Sequence, residues 1–440
     1  METQAWETVG TRKQVLAWCL WDTGTSAFSA IMLTFVFTVY LTSSSFGSPE
    51  HTSTVLSVGM AAAGFIIALT APLVGQRSDQ PRSRARFLNV NTVLLALFTG
   101  LAFFARPEPS FLVFGVAMIA IASIVTEFGQ VSYNAMLPGL AGPKKIGAVS
   151  GWGWGAGYLG GIVALAFVLF GFVQPGFLGI PTDDALNYRA VALFSAAWVL
   201  AFSLPLMVRA RSMPYRPLER ADDVAAPTKP RGILASYVEL FRTIARVWRR
   251  SPATVYFLLS SAIFRDGLAG IFTFGGVLAA GTFGFSMSEV IIFAVVANIA
   301  AALGAIVGGK FDDAAGPRAV IIVSLLGIMV AGSVLLFWEG STAFWVCGLA
   351  LCLFVGPAQA ASRTYLGRLS PPGREGEIFG LYATTGRAVS FLAPMMFGIF
   401  VTALGAQIWG ILGILSVVGV GLLLLLFTPK PPKGFTTVQA

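Results

Sequence analysis

Five ionisable residues interrupt long apolar stretches of this chain: Asp22, Glu127, Arg265, Asp266 and Arg387. A charge in such a setting is costly unless it meets water or a partner, so each marks a candidate site. An acid there can be neutralised by a proton or by an arginine. Proton binding and solute binding can then compete for one group, which is a physical route to coupled transport. Asp22 or Asp266 is the expected coupling acid, and Arg265 or Arg387 the expected anchor for an anionic group of the solute. The alternative is a set of buried ion pairs that hold helices in register. Polar groups able to join a site are Gln130, Tyr133, Asn134, Gln359, Tyr382 and Thr385, although intramembrane amides also bond to neighbouring helices.

Other chemistry has little to work with. His51 is the single histidine, and Cys19, Cys347 and Cys352 sit in apolar runs without metal-ligand spacing. A zinc site or a Ser-His-Asp triad has almost nothing to be built from. Residues 304–310 read GAIVGGK, close to a phosphate-binding loop, but Phe311 follows where Ser or Thr is needed and no strand precedes. The sequence predicts no enzyme, no metal and no cofactor.

Composition defines the elements that must position these residues. The chain has 440 residues, 56% hydrophobic and only 11% charged, with mean hydropathy +0.79. A soluble domain carries about 25% charged residues, and roughly 20 apolar residues span a bilayer as a helix. Runs of that length recur from end to end, without the period-2 pattern of a membrane β-barrel. The chain is expected to be an all-α membrane protein with twelve transmembrane helices. The spans read as 15–41, 55–74, 87–104, 111–137, 148–172, 188–208, 255–278, 288–308, 319–337, 342–362, 378–401 and 406–427. The net charge of +9 is read by position rather than as a nucleic-acid signal. With a cytoplasmic N-terminus, 25 of the 29 Lys and Arg fall in inner segments, among them Arg363, Arg368 and Arg374 after span ten. Only Arg106 and Arg189 fall outside. That asymmetry predicts both termini in the cytoplasm.

Spans one to six fill 1–208 and spans seven to twelve lie in 255–440, separated by a polar segment, 209–254. The segment starts as a Pro- and charge-rich linker. It continues as a stretch whose apolar residues, from Ile233 to Trp248, share one helical face, as in a helix lying on the inner membrane surface. The halves echo each other. After span two stand Gly75, Asp79, Arg82 and Arg84; after span eight stand Gly309, Asp313, Gly316 and Arg318. Span five carries Gly147, Gly151 and Gly155, and also Gly153, Gly157 and Gly161. Span eight answers with Ala297, Ala301, Gly304, Ala305 and Gly308. Small residues at this spacing let backbones approach closely. Pro357 and Pro394 are expected to bend spans ten and eleven.

The six-plus-six parallel repeat and the paired Gly-x-x-x-Asp loops resemble the major facilitator superfamily. The resemblance implies two pseudo-symmetric six-helix bundles, with spans one, four, seven and ten lining a central cavity and spans five and eight meeting between the halves. It also implies a cytoplasmic latch in each loop. An Asp there can accept bonds from free amides at a helix N-terminus, Asp79 at the start of span eleven and Asp313 at the start of span five. Within the superfamily, four stretches resemble the vacuolar amino-acid effluxers of autophagy and their bacterial members. They are LAWCLWDTGTSAFSAIMLTFVFTVYL, YNAMLPGLAGPKKIGAVSGWGWGAGYLGG, FRDGLAGIFTFGG and GPAQAASRTYLGRLSPPGREGEIFGLYATTGRAVSFLAP. That resemblance implies a secondary transporter exporting amino acids with protons. The expected partners are a small-molecule substrate, protons and the lipid bilayer, with no nucleic acid; the expected setting is a monomer in a bacterial inner membrane. A lipid or amphiphile exporter and a non-transporting membrane sensor are the other readings.

Overall fold

The structure, a computed structural model, describes residues 10–79, 81–173, 177–216, 242, 245, 248–249 and 251–429. Twelve of its helices are long and apolar enough to cross a membrane. They are α1 (Arg12–Leu41), α2 (Pro49–Arg77), α3 (Arg82–Phe104), α4 (Pro109–Ala141), α5 (Ile146–Val173), α6 (Asp183–Ser212), α7 (Pro252–Gly281), α8 (Met287–Ala315), α9 (Pro317–Phe337), α10 (Ser341–Leu369), α11 (Glu375–Leu404) and α12 (Gln407–Leu426). An even number of crossings returns residue 429 to the face where residue 10 lies; this is the near face. Most of the polar segment between α6 and α7, including most of the expected surface helix, lies outside the described residues.

Local chemistry sets the helix starts. Thr11 and Gln14 form a capping box at α1, as Ser286 and Glu289 do at α8. Pro49 opens α2 and Pro317 opens α9, positions where a missing N–H costs nothing. Two helices are irregular. α1 passes from α-helix (Arg12–Ala27) into a π-helical stretch (Phe28–Phe35). α11 is two rods, Glu375–Ala388 and Leu392–Leu404. Pro394 is the third residue of the second rod, where a helix amide has no intrahelical acceptor. It therefore helps to begin that rod rather than bend a continuous one.

α1–α6 and α7–α12 form two bundles, each with its own apolar core. Phe28, Phe37, Ile119 and Val199 are buried in the first, and Phe257, Phe264, Leu325 and Val418 in the second. The bundles meet along α5 and α8 and along α2 and α11. At the near-face end of each seam two glycines face each other. A side chain on Gly147 would strike the Gly309 carbonyl and the reverse, and Gly75 and Gly376 stand in the same relation. The two glycine series of α5 divide their work. Gly147, Gly151 and Gly155 face α8, whereas Gly153, Gly157 and Gly161 face α1 of their own bundle. Gly304 and Gly308 turn to α10, where they accommodate Leu353 and Pro357.

Overpacking a tight contact costs ~1–3 kcal/mol, and the two series separate its effects. Gly147→Leu should force the near-face ends apart, read as faster thiol labelling of a cysteine placed at buried Ser150. Gly157→Leu, whose Cβ would stand 2.9 Å from Ser26 Oγ, should instead lower the melting temperature.

Candidate functional site

The near-face latches rest on carboxylates set against helix starts. Asp79, just past α2, accepts the amides of Gly376 (2.5 Å) and Glu377 (3.1 Å) at the first turn of α11. Asp313, in the last turn of α8, accepts those of Gly147 (2.7 Å) and Ala148 (2.8 Å) at the first turn of α5. These amides have no intrahelical acceptor, and the positive helix end favours an anion. Facing glycines let each carboxylate come this close.

Cations complete the latches, and only one of them stands in the loop motif. Arg84 reaches Glu375 at 3.1 Å and Asp79 at 3.5 Å. Arg82 beside it is exposed. On the other seam the cation is Arg368 of α10, 2.7 Å from Asp312 and 3.3 Å from Asp313. Arg318 turns away, donating to the Leu425 and Leu426 carbonyls at the end of α12. Gly316 supplies the turn into α9 with φ +88°. Arg368, Glu375 and Arg216, which lies 3.7 Å from Glu375, lie outside the two loops, and Asp312 stands in the second loop beside the motif aspartate.

Deeper in, one buried cluster joins the bundles. Asp22 of α1 and Arg363 of α10 are 8% and 4% exposed and stand 3.3 Å apart. The Tyr133 hydroxyl donates to the same Asp22 oxygen at 2.7 Å. Arg363 also donates to the Ser150 carbonyl (2.7 Å), the Ser150 hydroxyl (3.0 Å) and the Asn134 side-chain oxygen (3.4 Å). Tyr133 is stacked between Trp18 and Trp21, with ring centroids 4.3 and 4.4 Å away. This corrects the sequence expectation that placed Arg363 in a loop after span ten. α10 runs on to Leu369, because Asp22 and Ser150 match the guanidinium that would otherwise have ended the span. Gln359 one turn above Arg363 is the signal that could have located it.

The other intramembrane charges separate into different environments. Glu127 and Arg387 pair directly, from α4 and α11, with side chains 26% and 34% exposed. Asp266 is buried and accepts the Ala393 amide at 2.6 Å, capping the second rod of α11 within its own bundle. Arg265 lies 3.9 Å over the Tyr382 ring, and its Nε and Nη1 are buried without a protein partner. Gln359 Oε1 and Trp154 Nε1 are likewise buried and unpartnered. Thr385 bonds back to its own helix at Leu381, while Gln130 is half-buried.

The inter-bundle bonds given above all fall between the near face and the depth of Glu127 and Arg387. The molecule is therefore fastened at its near face.

Two bundles fastened by carboxylate–helix latches around buried charges define a transporter of the major facilitator superfamily. The chain belongs to the family described as "Vacuole effluxer Atg22 like", which it matches over residues 44–431. It is 24% identical over 425 residues to the uncharacterized MFS-type transporter YxiO of Bacillus subtilis (strain 168), covering 95% of each protein. It is 24% identical over 277 residues to autophagy-related protein 22-1 of Aspergillus fumigatus, a stretch that is 58% of this chain and 44% of that protein. Among solved structures it resembles the transporter FucP in the outward conformation, with TM-score 0.69 and 14% identity over 95% of this chain and 98% of that one. It also resembles a bacterial homologue of the iron transporter ferroportin in its outward-facing state, with TM-score 0.67 and 13% identity over 94% and 98% of the two chains. These likenesses establish the fold. The relatives are transporters, not enzymes.

Burial pushes the Asp79 carboxyl well above the usual carboxylate range, and Glu375 and Glu377 push the same way against Arg84 and the Gly376 amide. A closed latch therefore holds a proton more readily than an open, solvated one. Lowering the pH through the closed-state range favours closure, and raising it favours opening. Spin labels at exposed Arg82 and Lys310 should show a longer-distance population growing as pH rises, and Asp79→Asn should flatten that response.

Proposed function

We propose that the protein is a proton-linked exporter of a small zwitterionic solute, an amino acid, working by alternating access as a monomer in a bacterial inner membrane. The near face is the cytoplasmic one, as the crowding of Lys and Arg in the near-face segments supports. The state described is then outward-facing, closed to the cytoplasm.

The observation that carries the reading is Arg265. Arg363 faces Asp22 and Arg387 faces Glu127, but Arg265 lies against an aromatic ring with two buried nitrogens left over. A buried donor without an acceptor is costly, and a solute carboxylate would relieve it. Gln359 Oε1 is a spare acceptor suited to an ammonium group. Asp22 is the coupling acid in this reading. It stands between the bundles, so gaining a proton and pairing with Arg363 are alternative ways to neutralise it. Asp266 serves α11 as a cap, and Glu127 with Arg387 sets the charge balance of the open side. The family resemblance supports amino acids and export.

Uptake of a labelled solute panel into proteoliposomes, with and without a pH gradient, tests this reading. Amino-acid flux that follows the gradient is the expected result; flux with lipid analogues alone, or none, rejects it. Asp22→Asn should abolish the gradient dependence, whereas Asp266→Asn, which keeps an oxygen for the Ala393 amide, should retain it. Arg265→Gln should raise KM by roughly tenfold to a hundredfold, the worth of a charged hydrogen bond, with a smaller change in kcat.

A further inference from the structure

The surroundings of Arg363 have a property that a simple ion pair lacks. Every residue that binds its guanidinium belongs to the opposite bundle. Asp22, Asn134 and Ser150 supply the acceptors. The rings of Trp18, Tyr133 and Trp154 lie 4.7, 5.6 and 5.7 Å from its central carbon. Gly153 leaves the room, since a Cβ there would stand 2.9 Å from Arg363 Nη2. Carboxylate, neutral acceptors and aromatic faces together make a complete receptor for a planar or compact organic cation. That receptor sits entirely in the first bundle, while its occupant arrives on α10 of the second.

We propose that this pocket is the solute's cation-binding site, and that Arg363 is a tethered stand-in for the solute. When the bundles part at the near face, Arg363 leaves with α10. The carboxylate of Asp22 and the Ser150 and Asn134 oxygens are left without their cation, an arrangement that is costly to keep empty. The ammonium or guanidinium of the solute then occupies the place of Arg363. When the near face closes, Arg363 competes it out toward the far side. The solute class is a primary ammonium or guanidinium compound, with basic amino acids favoured over neutral ones. This inference rests on the alternating-access reading above and adds the ligand for one half of its site.

The test uses the full chain in nanodiscs, with agmatine as the probe and its uncharged counterpart N-butylurea as the control. Binding is read from tryptophan fluorescence, because Trp18 and Trp154 line the pocket. Arg363→Ala should bind agmatine at least tenfold more tightly than the native chain, and Arg363→Ala with Asp22→Asn should lose that gain. Gly376→Leu leaves every pocket residue unchanged and overpacks the facing Gly75 carbonyl, which stands 2.6 Å from a Cβ at this position, so it should part the near face and also tighten agmatine binding over the native chain. It serves as the primary evidence if Arg363→Ala fails to fold. N-butylurea should bind none of them.

Spin-label distances between positions 82 and 310 in Gly376→Leu, measured without ligand, separate the two layers of the argument. If the near face opens but agmatine binds no better than to the native chain, the cation site is overturned and alternating access stands. If the near face never opens in any variant, alternating access itself is overturned. Agmatine binding that survives Asp22→Asn, or that N-butylurea matches, also overturns the proposal.

Discussion

A carboxylate and a guanidinium buried in an apolar interior are tolerable only together, and here they come from different bundles. Asp22 and Arg363 thereby make the closeness of the two halves an electrostatic necessity in this state. Their supports follow from the same constraint. Tyr133 needs its hydroxyl on Asp22 and its ring held flat, so Trp18 and Trp21 clamp it. Ser150 gives both of its oxygens to Arg363, which fixes the depth of α5 against α10. Removing one charge would leave the other uncompensated, a loss on the order of 3–5 kcal/mol for buried pairs. Any movement that parted the bundles would have to supply water, a proton or another partner to these two groups.

The two latches solve a smaller version of the same problem with backbone rather than side chain. Each places an aspartate against unsatisfied amides, and each needs a facing pair of glycines for the approach. A helix end is worth roughly 0.3–1 kcal/mol to an exposed anion and up to ~2 kcal/mol when partly buried. Such energies are large enough to hold a state and small enough to release it. The latches are not copies. Asp79 draws on Arg84 from the first turn of α3, the next helix in the chain, whereas Asp313 relies on Arg368 from α10 and shares it with Asp312. The carboxylates and facing glycines repeat between the halves, and the cations do not.

Much of this was legible in the residues themselves. Twelve apolar runs gave the spans, since backbone in an apolar medium must bond internally and a helix does so alone. The paired Gly-x-x-x-Asp loops stood out because helix-end chemistry is local and leaves a short signature. Arg363 did not stand out. The stretch SRTYLGRL looks like a loop when read by hydropathy, and its helical character depends on Asp22, 341 positions away in sequence. Asp266 was hard to interpret for a similar reason: its partner is a backbone amide, and amides carry no side-chain identity. Its role depends on the interruption of α11 at 389–391, which Pro394 hints at but cannot locate.

That interruption divides the labour of one polypeptide segment. The first rod of α11 is tied to α2 through Asp79 and the Thr384 hydroxyl, which donates to the Ala68 carbonyl. The second rod is moored to α7 through Asp266. Strain arriving at one rod need not be transmitted to the other, because the three residues between them act as a knee. The near end of α11 is therefore anchored across the seam and its far end within its own bundle, so displacing one rod does not by itself require the same displacement of the other.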